Sequence, residues 1–162
     1  THYDLLTRNL RLNDAARVTA LQMAVSSTDG QTEFVRVLGN TTGSHLAGSK
    51  AAPYGELQRF PVKTVSFRSL VAGVDLLKLD AEGHEQQIIT STLAEDWAHM
   101  DGLISVHDKA NAYAVFEHLT DLKLHMFSQK INWQRVANRD DMPLSHHEGT
   151  LFVSHKSEMP WA

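Results

Sequence analysis

Carboxylates and a glycine cluster in the stretch VDLLKLDAEGHEQQII, residues 74–89, at the point where an apolar run ends. Asp80 closes the run, and Glu82, Gly83 and Glu85 follow before the sequence becomes helical. Open parallel sheets bind ligands outside the carboxyl ends of their strands, so this position predicts a ligand site. The same residues can also serve the helix alone, as a cap and as charges beside its positive end. The stretch by itself leaves both interpretations open.

A histidine follows the next apolar strand, as Asp80 follows the first one. His107 comes near the end of the stretch DGLISVHD, residues 101–108, so we expect it to face the same cleft as Asp80. An imidazole in that place can act as a general base near neutral pH. The alternative is a partly exposed histidine that hydrogen-bonds Asp108. His84, beside the glycine of the first stretch, is expected to lie in solvent.

A metal site is a further interpretation of these residues. Asp80, Glu82 and His107, with the segment His146–Glu148, have the ligand types that divalent ions use. Neighbouring histidines in a strand point to opposite faces, and no compact ligand motif such as HExxH occurs. We therefore expect no metal in the site, and a metal-dependent hydrolase that uses Asp80 and His107 remains a third hypothesis for the function.

The elements that must position these side chains alternate between strands and helices, which is typical of an α/β protein with a mostly parallel central sheet. Helical spacing predicts helices at 2–13, 84–97 and 111–122. Apolar or alternating runs predict strands at 17–25, 31–38, 60–67, 75–79 and 101–108, and a C-terminal pair of strands at 123–129 and 149–156. The stretch 39–56, rich in small and polar residues, is expected to be a lid over an acceptor or an unordered connector.

The composition limits the partners of the chain. Its 162 residues, 42% of them hydrophobic, fit one globular domain with an ordinary core. A net charge of -4 gives no basic surface for nucleic acid or an anionic membrane. No apolar run approaches the roughly 20 residues of a membrane helix. The absence of cysteine is compatible with a reducing compartment, and we expect a cytoplasmic protein.

The string DLLKLDAEGHE, residues 75–85, resembles the DLLKIDVEGAE signature of the FkbM-family methyltransferases, which depend on S-adenosylmethionine. Three further segments resemble that family in the family's order. These are LLTRNLRLND at 5–14, QMAVSSTDGQTEF at 22–34 and VKTVSFRSL at 62–70. Four ordered segments are much more specific than one, and the resemblance weakens after about residue 90.

The resemblance implies a Rossmann-like class I methyltransferase sandwich. Such an enzyme moves a methyl group from S-adenosylmethionine to a hydroxyl of a sugar, a polyketide or another small-molecule acceptor. Ala24 and Val25 would flank the adenine of this cofactor, although core packing is the alternative for that pair. Asp80 and Glu82 would lie near the methionine end and the acceptor. The family often has a glutamate two residues before the position of His107, where this chain has Ser105.

The resemblance also implies parts that this chain does not show. The glycine-rich turn that holds the methionine moiety, and the acid that holds the ribose, would precede the matched segments. The first strand of that sheet would pair with the strand that ends at Asp80, so we expect this strand to have an open edge. We therefore expect residues 1–162 to be a single, partial methyltransferase-like domain whose open edge favours a homo-oligomer. The alternative is a non-catalytic interaction or assembly domain that lacks the cofactor half.

Overall fold

Residues 2–40, 43–50, 55–145 and 147–161 are described by the structure, which is a computed structural model. The helices in these ranges are α1 (His2–Leu12), α2 (Phe67–Leu70), α3 (Glu85–Ile89) and α4 (Lys109–Asp121). The strands are β1 (Ala24–Ser26), β2 (Gly30–Val37), β3 (His45–Leu46), β4 (Leu57–Ser66), β5 (Leu76–Leu79), β6 (Asp101–Ser105), β7 (His125–Ser128), β8 (Gln134–Arg135) and β9 (Thr150–Ser154). None of the described helices has the length and hydropathy that a membrane-spanning helix needs.

The strands form two mixed sheets beside the helices, so the expectation of an α/β protein is confirmed. The first sheet has the order β1-β4-β2-β3, and the second has the order β5-β6-β9-β7-β8. Parallel pairing joins β1 to β4 and β5 to β6, whereas the other neighbouring pairs are antiparallel. The expected mostly parallel central sheet is therefore not confirmed.

The antiparallel pairing of the second sheet follows from its connections. A parallel pair needs a long crossover, which α3 supplies between β5 and β6. The strand β9 instead enters between β6 and β7 and runs against both of them. The predicted C-terminal pair of strands is confirmed, because β7 and β9 are antiparallel neighbours with Phe127 opposite Phe152.

The first predicted strand is much shorter than expected. Residues 17–25 were expected to form a buried strand, but only Ala24–Ser26 pair with β4. The preceding residues follow α1 through turns, in which the amide of Val18 donates to the carbonyl of Ala15 at 3.1 Å. These hydrogen bonds hold the chain near the end of α1 and away from β4.

The helix predicted over 84–97 is divided in two. Three successive hydroxyls, those of Thr90, Ser91 and Thr92, donate to carbonyls of the α3 backbone at 2.6 to 2.8 Å. Hydroxyls that bind nearby carbonyls compete with the continuation of a helix. After this break a 3-10 turn, Ala94–Trp97, carries Trp97 into the core.

The main core lies where the helices α3 and α4 cover one face of the second sheet. Its fully buried members include Ile88, Ile89, Trp97, Ile104, Val115, Leu119 and Leu151. Val25 of β1 packs against the same cluster, which joins the first sheet to the second. The strand β5 forms one edge of its sheet, and Leu76 on it is 63% exposed. The end of β5 and the end of β6 therefore emerge side by side at the same end of the core.

Candidate functional site

The turn between β5 and α3 is held from inside by a buried carboxylate. Glu85 is fully buried, and it accepts hydrogen bonds from the amides of Ala81 at 2.7 Å and Gly83 at 3.0 Å. The helix α3 begins at Glu85, so Asp80 lies too far upstream to cap it. The turn instead directs the side chains of Asp80 and Glu82 outward, where they are 54% and 30% exposed.

Gly83 is required by this turn for two reasons. Its φ of +97° lies in the region that favours glycine, and a Cβ atom built there would meet the carbonyl oxygen of Ser49 at 2.4 Å. The structure thus has both a left-handed backbone conformation and a close approach at this glycine. The group that approaches belongs to the chain itself, because the segment 47–50 lies over the turn.

His107 meets the turn from the end of β6. Asp108, the next residue, caps α4 by accepting a hydrogen bond from the amide of Asn111 at 2.9 Å. The imidazole Nδ1 lies 3.1 Å from Glu85 Oε1. On the other side of the ring, Nε2 lies 3.5 Å from Asp80 Oδ1 and 3.9 Å from Glu82 Oε2.

Asp80, Glu82 and His107 are called the acid–histidine cluster from here on. The structure places Asp80 and His107 beside each other, at the ends of two adjacent strands, and adds Glu82 to the same place. A histidine with a buried carboxylate behind one ring nitrogen has the arrangement of an oriented general base. The cluster can thus bind a hydroxyl group and accept its proton.

The charges around His107 change its proton affinity. The hydrogen bond to Glu85 raises the pKa of His107 above its ordinary value, against the opposing effect of burial, and the charges of Glu85, Glu82 and Asp80 add to the rise. Burial alone would raise the pKa of Glu85, but the hydrogen bond and charge of His107 and the backbone amides outweigh it, so this pKa falls below its ordinary value. The buried carboxylate is therefore an ionised partner of the imidazole.

Each outward carboxylate also has a lysine beside it. Lys50 Nζ lies 2.6 Å from Glu82 Oε2, and Lys78 Nζ lies 3.8 Å from Asp80 Oδ2. Lys78 also donates to the hydroxyl of Ser105 at 3.0 Å, at the position where the FkbM-like pattern has a glutamate. The cluster and its neighbours Glu85, Lys50 and Lys78 therefore place three carboxylates and three basic groups within one small region.

His84 does not lie in solvent, and that expectation is wrong. Its Nε2 lies 3.0 Å from Ser26 Oγ and its Nδ1 lies 3.0 Å from Ser49 Oγ. Burial lowers the pKa of His84, against the opposing charge of Glu85. The sequence missed this contact because it joins residues far apart in the chain, and His84 links the turn to β1 and to the segment 47–50.

Ala24 and Val25 lie outside the acid–histidine cluster. Both belong to β1 of the first sheet, and Val25 packs against the main core, in agreement with the core-packing alternative. The next residue, Ser26, contacts His84, so the end of β1 neighbours the turn after β5. The structure therefore brings Asp80, Glu82 and His107 together and leaves Ala24 and Val25 beside them on another sheet.

The stretch 39–56, expected to be a lid or an unordered connector, packs against its surroundings in its described residues. It contains β3, which pairs with β2, and the segment 47–50 that contacts the turn through Ser49 and Lys50. Residues 41–42 and 51–54 lie outside the described ranges.

Of the other metal-ligand candidates, the described residues His147 and Glu148 do not join the cluster. Glu148 accepts a hydrogen bond from the amide of Leu144 at 2.8 Å and lies 3.2 Å from Lys130 Nζ. His146 lies outside the described residues. Among the described residues, only Asp80, Glu82 and His107 have three ligand-type atoms close together, all within 4.8 Å of one another.

Glu85 and Lys50 are site residues that the sequence did not identify. The sequence assigned Glu85 to the helix dipole, because nothing in the order of residues shows that a glutamate is fully buried. Lys50 is 32 positions from its partner Glu82, and no local pattern connects them.

No family model matches the chain, and no curated protein and no solved structure is similar enough to count as a match.

Proposed function

We propose that this chain is part of a methyltransferase similar to the FkbM family, which uses S-adenosylmethionine to methylate a hydroxyl oxygen of a sugar, a polyketide or another small molecule. The observation that carries the proposal is the contact between Asp80, the central residue of the FkbM-like signature, and His107 at 3.5 Å. If the signature lay within a helix or on an unrelated surface, Asp80 would not lie beside a polar residue that follows another strand.

The surroundings of this contact support a Rossmann-like core in the proposal. The strands β5 and β6 are parallel and are connected through α3, as in one β-α-β unit of such a fold. Asp80 follows β5 directly, and His107 follows β6 by two residues. Ligands of open α/β sheets bind at these carboxyl ends, so the acid–histidine cluster lies where a bound cofactor and acceptor would meet.

The proposed reaction uses each member of the cluster in one role. Asp80 and Glu82 orient the acceptor hydroxyl and the positive sulfonium of the cofactor, and His107 Nε2 takes the hydroxyl proton. The oxygen attacks the methyl carbon as the bond from carbon to sulfur breaks, which gives a methyl ether and S-adenosylhomocysteine. Glu85 is a positioning residue, because it holds His107 Nδ1 and keeps Nε2 toward the two outward carboxylates.

The adenine end of the cofactor is assigned to Ala24 and Val25 in this proposal. The contact between Ser26 and His84 supports the assignment, because it makes the end of β1 a neighbour of the signature turn. A cofactor between these two strand ends would extend from β1 to Asp80.

Calorimetric titration with S-adenosylhomocysteine tests the proposal. We expect binding by the full-length form of the protein and a loss of at least about tenfold in affinity, or about 1.4 kcal/mol, in Asp80→Asn. Asp75→Asn is the matched control, because Asp75 is exposed and precedes the same strand at its opposite end. Absence of binding by the full-length wild-type protein, or equal affinities in wild type and Asp80→Asn, would contradict the proposal.

A non-catalytic interaction domain is the second candidate function. The observation in its favour is α1, in which no residue is buried while Leu5 and Leu12 are 58% and 70% exposed. An apolar helix face of this kind is a common feature of protein–protein contacts. The titration described above distinguishes the two candidates, because an interaction domain would not bind S-adenosylhomocysteine.

A further inference from the structure

We infer that the acid–histidine cluster is a binding site for a divalent first-row transition-metal ion, with Asp80, Glu82 and His107 as its ligands. The three ligand-type atoms lie within 4.8 Å of one another. His107 Nε2 is the atom between the two carboxylates, at 3.5 Å from Asp80 Oδ1 and 3.9 Å from Glu82 Oε2. One nitrogen and two oxygens thus point at a common position.

The observed separations are close to those of a metal site. Ligands about 2.1 Å from an ion are roughly 3.0 to 3.4 Å apart, in octahedral or tetrahedral geometry. The separations of 3.5 and 3.9 Å from His107, and the separation of the two carboxylates, which is within 4.8 Å, must therefore contract when an ion binds. Asp80 and Glu82 can make this contraction by side-chain rotation, because both side chains are partly exposed.

A second observation lies behind the imidazole. Glu85 is fully buried, lies 3.1 Å from His107 Nδ1 and is itself fixed by the amides of Ala81 and Gly83. Metal-bound histidines almost always donate their other ring N–H to such a carboxylate or carbonyl, which fixes the tautomer and the ring orientation. Glu85 is not one of the three ligands, so this support is separate from the spacing of the ligands.

The donor set indicates the class of ion. One imidazole and two carboxylates suit Mn²⁺, Fe²⁺, Co²⁺ and Zn²⁺, whereas Mg²⁺ and Ca²⁺ prefer oxygen ligands alone. Three protein ligands leave coordination positions for water or for an oxygen of a substrate.

Lys50 would compete with this ion. Its ammonium lies 2.6 Å from Glu82 Oε2, so a positive charge already lies beside one of the oxygens that would bind the ion. An ion must displace this ammonium or bind the other oxygen of Glu82. Removal of the ammonium by Lys50→Met is therefore expected to strengthen binding of the ion, although most substitutions next to a site weaken it.

A bound ion would change the role of His107. The nitrogen Nε2 cannot hold an ion and accept a proton at the same time. In an ion-bound form, the ion would lower the pKa of a hydroxyl bound to it, and the proton would leave to solvent water instead of to His107. This consequence rests on the proposed methyl transfer, whereas the ion site itself does not.

Titration with Mn²⁺, followed by the electron paramagnetic resonance signal of the free aqueous ion, tests the inference. We expect one Mn²⁺ per wild-type chain, at least tenfold weaker binding in Asp80→Asn and in His107→Asn, and tighter binding in Lys50→Met. Asp75→Asn and His99→Asn, which replace exposed residues outside the cluster, are the matched controls and should bind as the wild type does.

Two results would overturn the inference. One is the absence of Mn²⁺ binding by the wild-type chain, and the other is binding that Asp80→Asn and His107→Asn leave unchanged. Asp80 is 54% exposed, so its substitution tests the site without a risk to the core. Mn²⁺ binding without S-adenosylhomocysteine binding would leave the ion site in place and contradict only the proposed methyl transfer.

Discussion

At the scale of single residues, Glu85 connects the geometry of the turn to the chemistry of the cluster. A buried carboxylate is stable only when its charge is compensated and its oxygens are hydrogen-bonded. Both conditions are met, by His107 on one side and by the amides of Ala81 and Gly83 on the other. The same carboxylate therefore shapes the turn that presents Asp80 and fixes the ring that faces it.

The proton affinity of His107 gives a prediction at this scale. The largest cause of its raised pKa is the hydrogen bond to Glu85, so Glu85→Gln should lower the midpoint of the His107 ring titration in metal-free protein. The folded protein binds this proton more tightly than the unfolded chain. Its contribution to stability is therefore present below about pH 6.5 and is lost as the pH rises through the raised pKa.

Nuclear magnetic resonance of the histidine ring protons measures this midpoint. Glu33→Gln is the control, because the Glu33 side chain forms an exposed ion pair with Arg59 in the first sheet and is not a member of the cluster. Equal His107 midpoints in wild type and Glu85→Gln would show that the buried carboxylate does not control the imidazole.

Sequence reasoning found the polar residues at strand ends and missed the residues that support them. Asp80 and His107 could be predicted as neighbours, since the ends of two adjacent parallel strands meet at one edge. The roles of Glu85, His84 and Lys50 depend on burial and on contacts between distant segments. No periodicity or local spacing contains that information.

At the scale of elements, the turn after β5 and the segment 47–50 form one packed unit. Ser49 contacts His84 with its side chain and Gly83 with its carbonyl, and Lys50 binds Glu82. The conformation of the turn and the position of the segment should therefore change together.

Two glycine substitutions distinguish the effect of the close contact between Gly83 and Ser49 on stability from the effect of backbone strain. Gly83→Ala and Gly73→Ala both place a side chain at positive φ, at +97° and +77°, which costs roughly 1–2 kcal/mol. Only the new Cβ at Gly83 meets a backbone oxygen, at 2.4 Å, whereas that at Gly73 meets nothing within 4 Å. Gly83→Ala should lose about 1–3 kcal/mol more of its free energy of unfolding in urea. Equal losses would show that the segment 47–50 does not lie against the turn.

The elements were predicted best where residue type alone decides them. The apolar strand β5 and the helix α4 lie close to their expected positions. The predicted lengths of β1 and α3 were wrong. The length of β1 depends on which of its residues can pair with β4, and the length of α3 depends on the hydroxyls that bind the helix backbone. The direction of pairing depends on the connections, so the antiparallel neighbours of β9 could not be deduced from its apolar pattern.

At the scale of the whole molecule, two apolar features remain uncovered in the described chain. The strand β5 is an edge strand with Leu76 63% exposed, and α1 presents Leu5 and Leu12 to solvent. Exposed strand edges are sites of pairing with another chain. The expectation of self-association therefore stays a prediction with a structural basis.

Sedimentation across a range of protein concentrations tests this prediction. We expect the wild-type chain to associate with a second copy at high concentration, and Leu76→Lys to weaken that association at least tenfold, because a lysine on an edge strand opposes pairing. Leu93→Lys is the control, since Leu93 is 47% exposed but lies outside β5. A wild-type chain that remains monomeric at every concentration would contradict the prediction.

A map of the amide resonances that move when S-adenosylhomocysteine is added to the isotope-labelled full-length protein tests the proposed cofactor site. We expect the shifts to concentrate at Asp80, Ala81 and Glu82 and at the end of β1, Ala24–Ser26. Shifts that concentrate elsewhere, such as at the groove between α1 and the residues 14–20 that follow it, or no shifts at all, would contradict it.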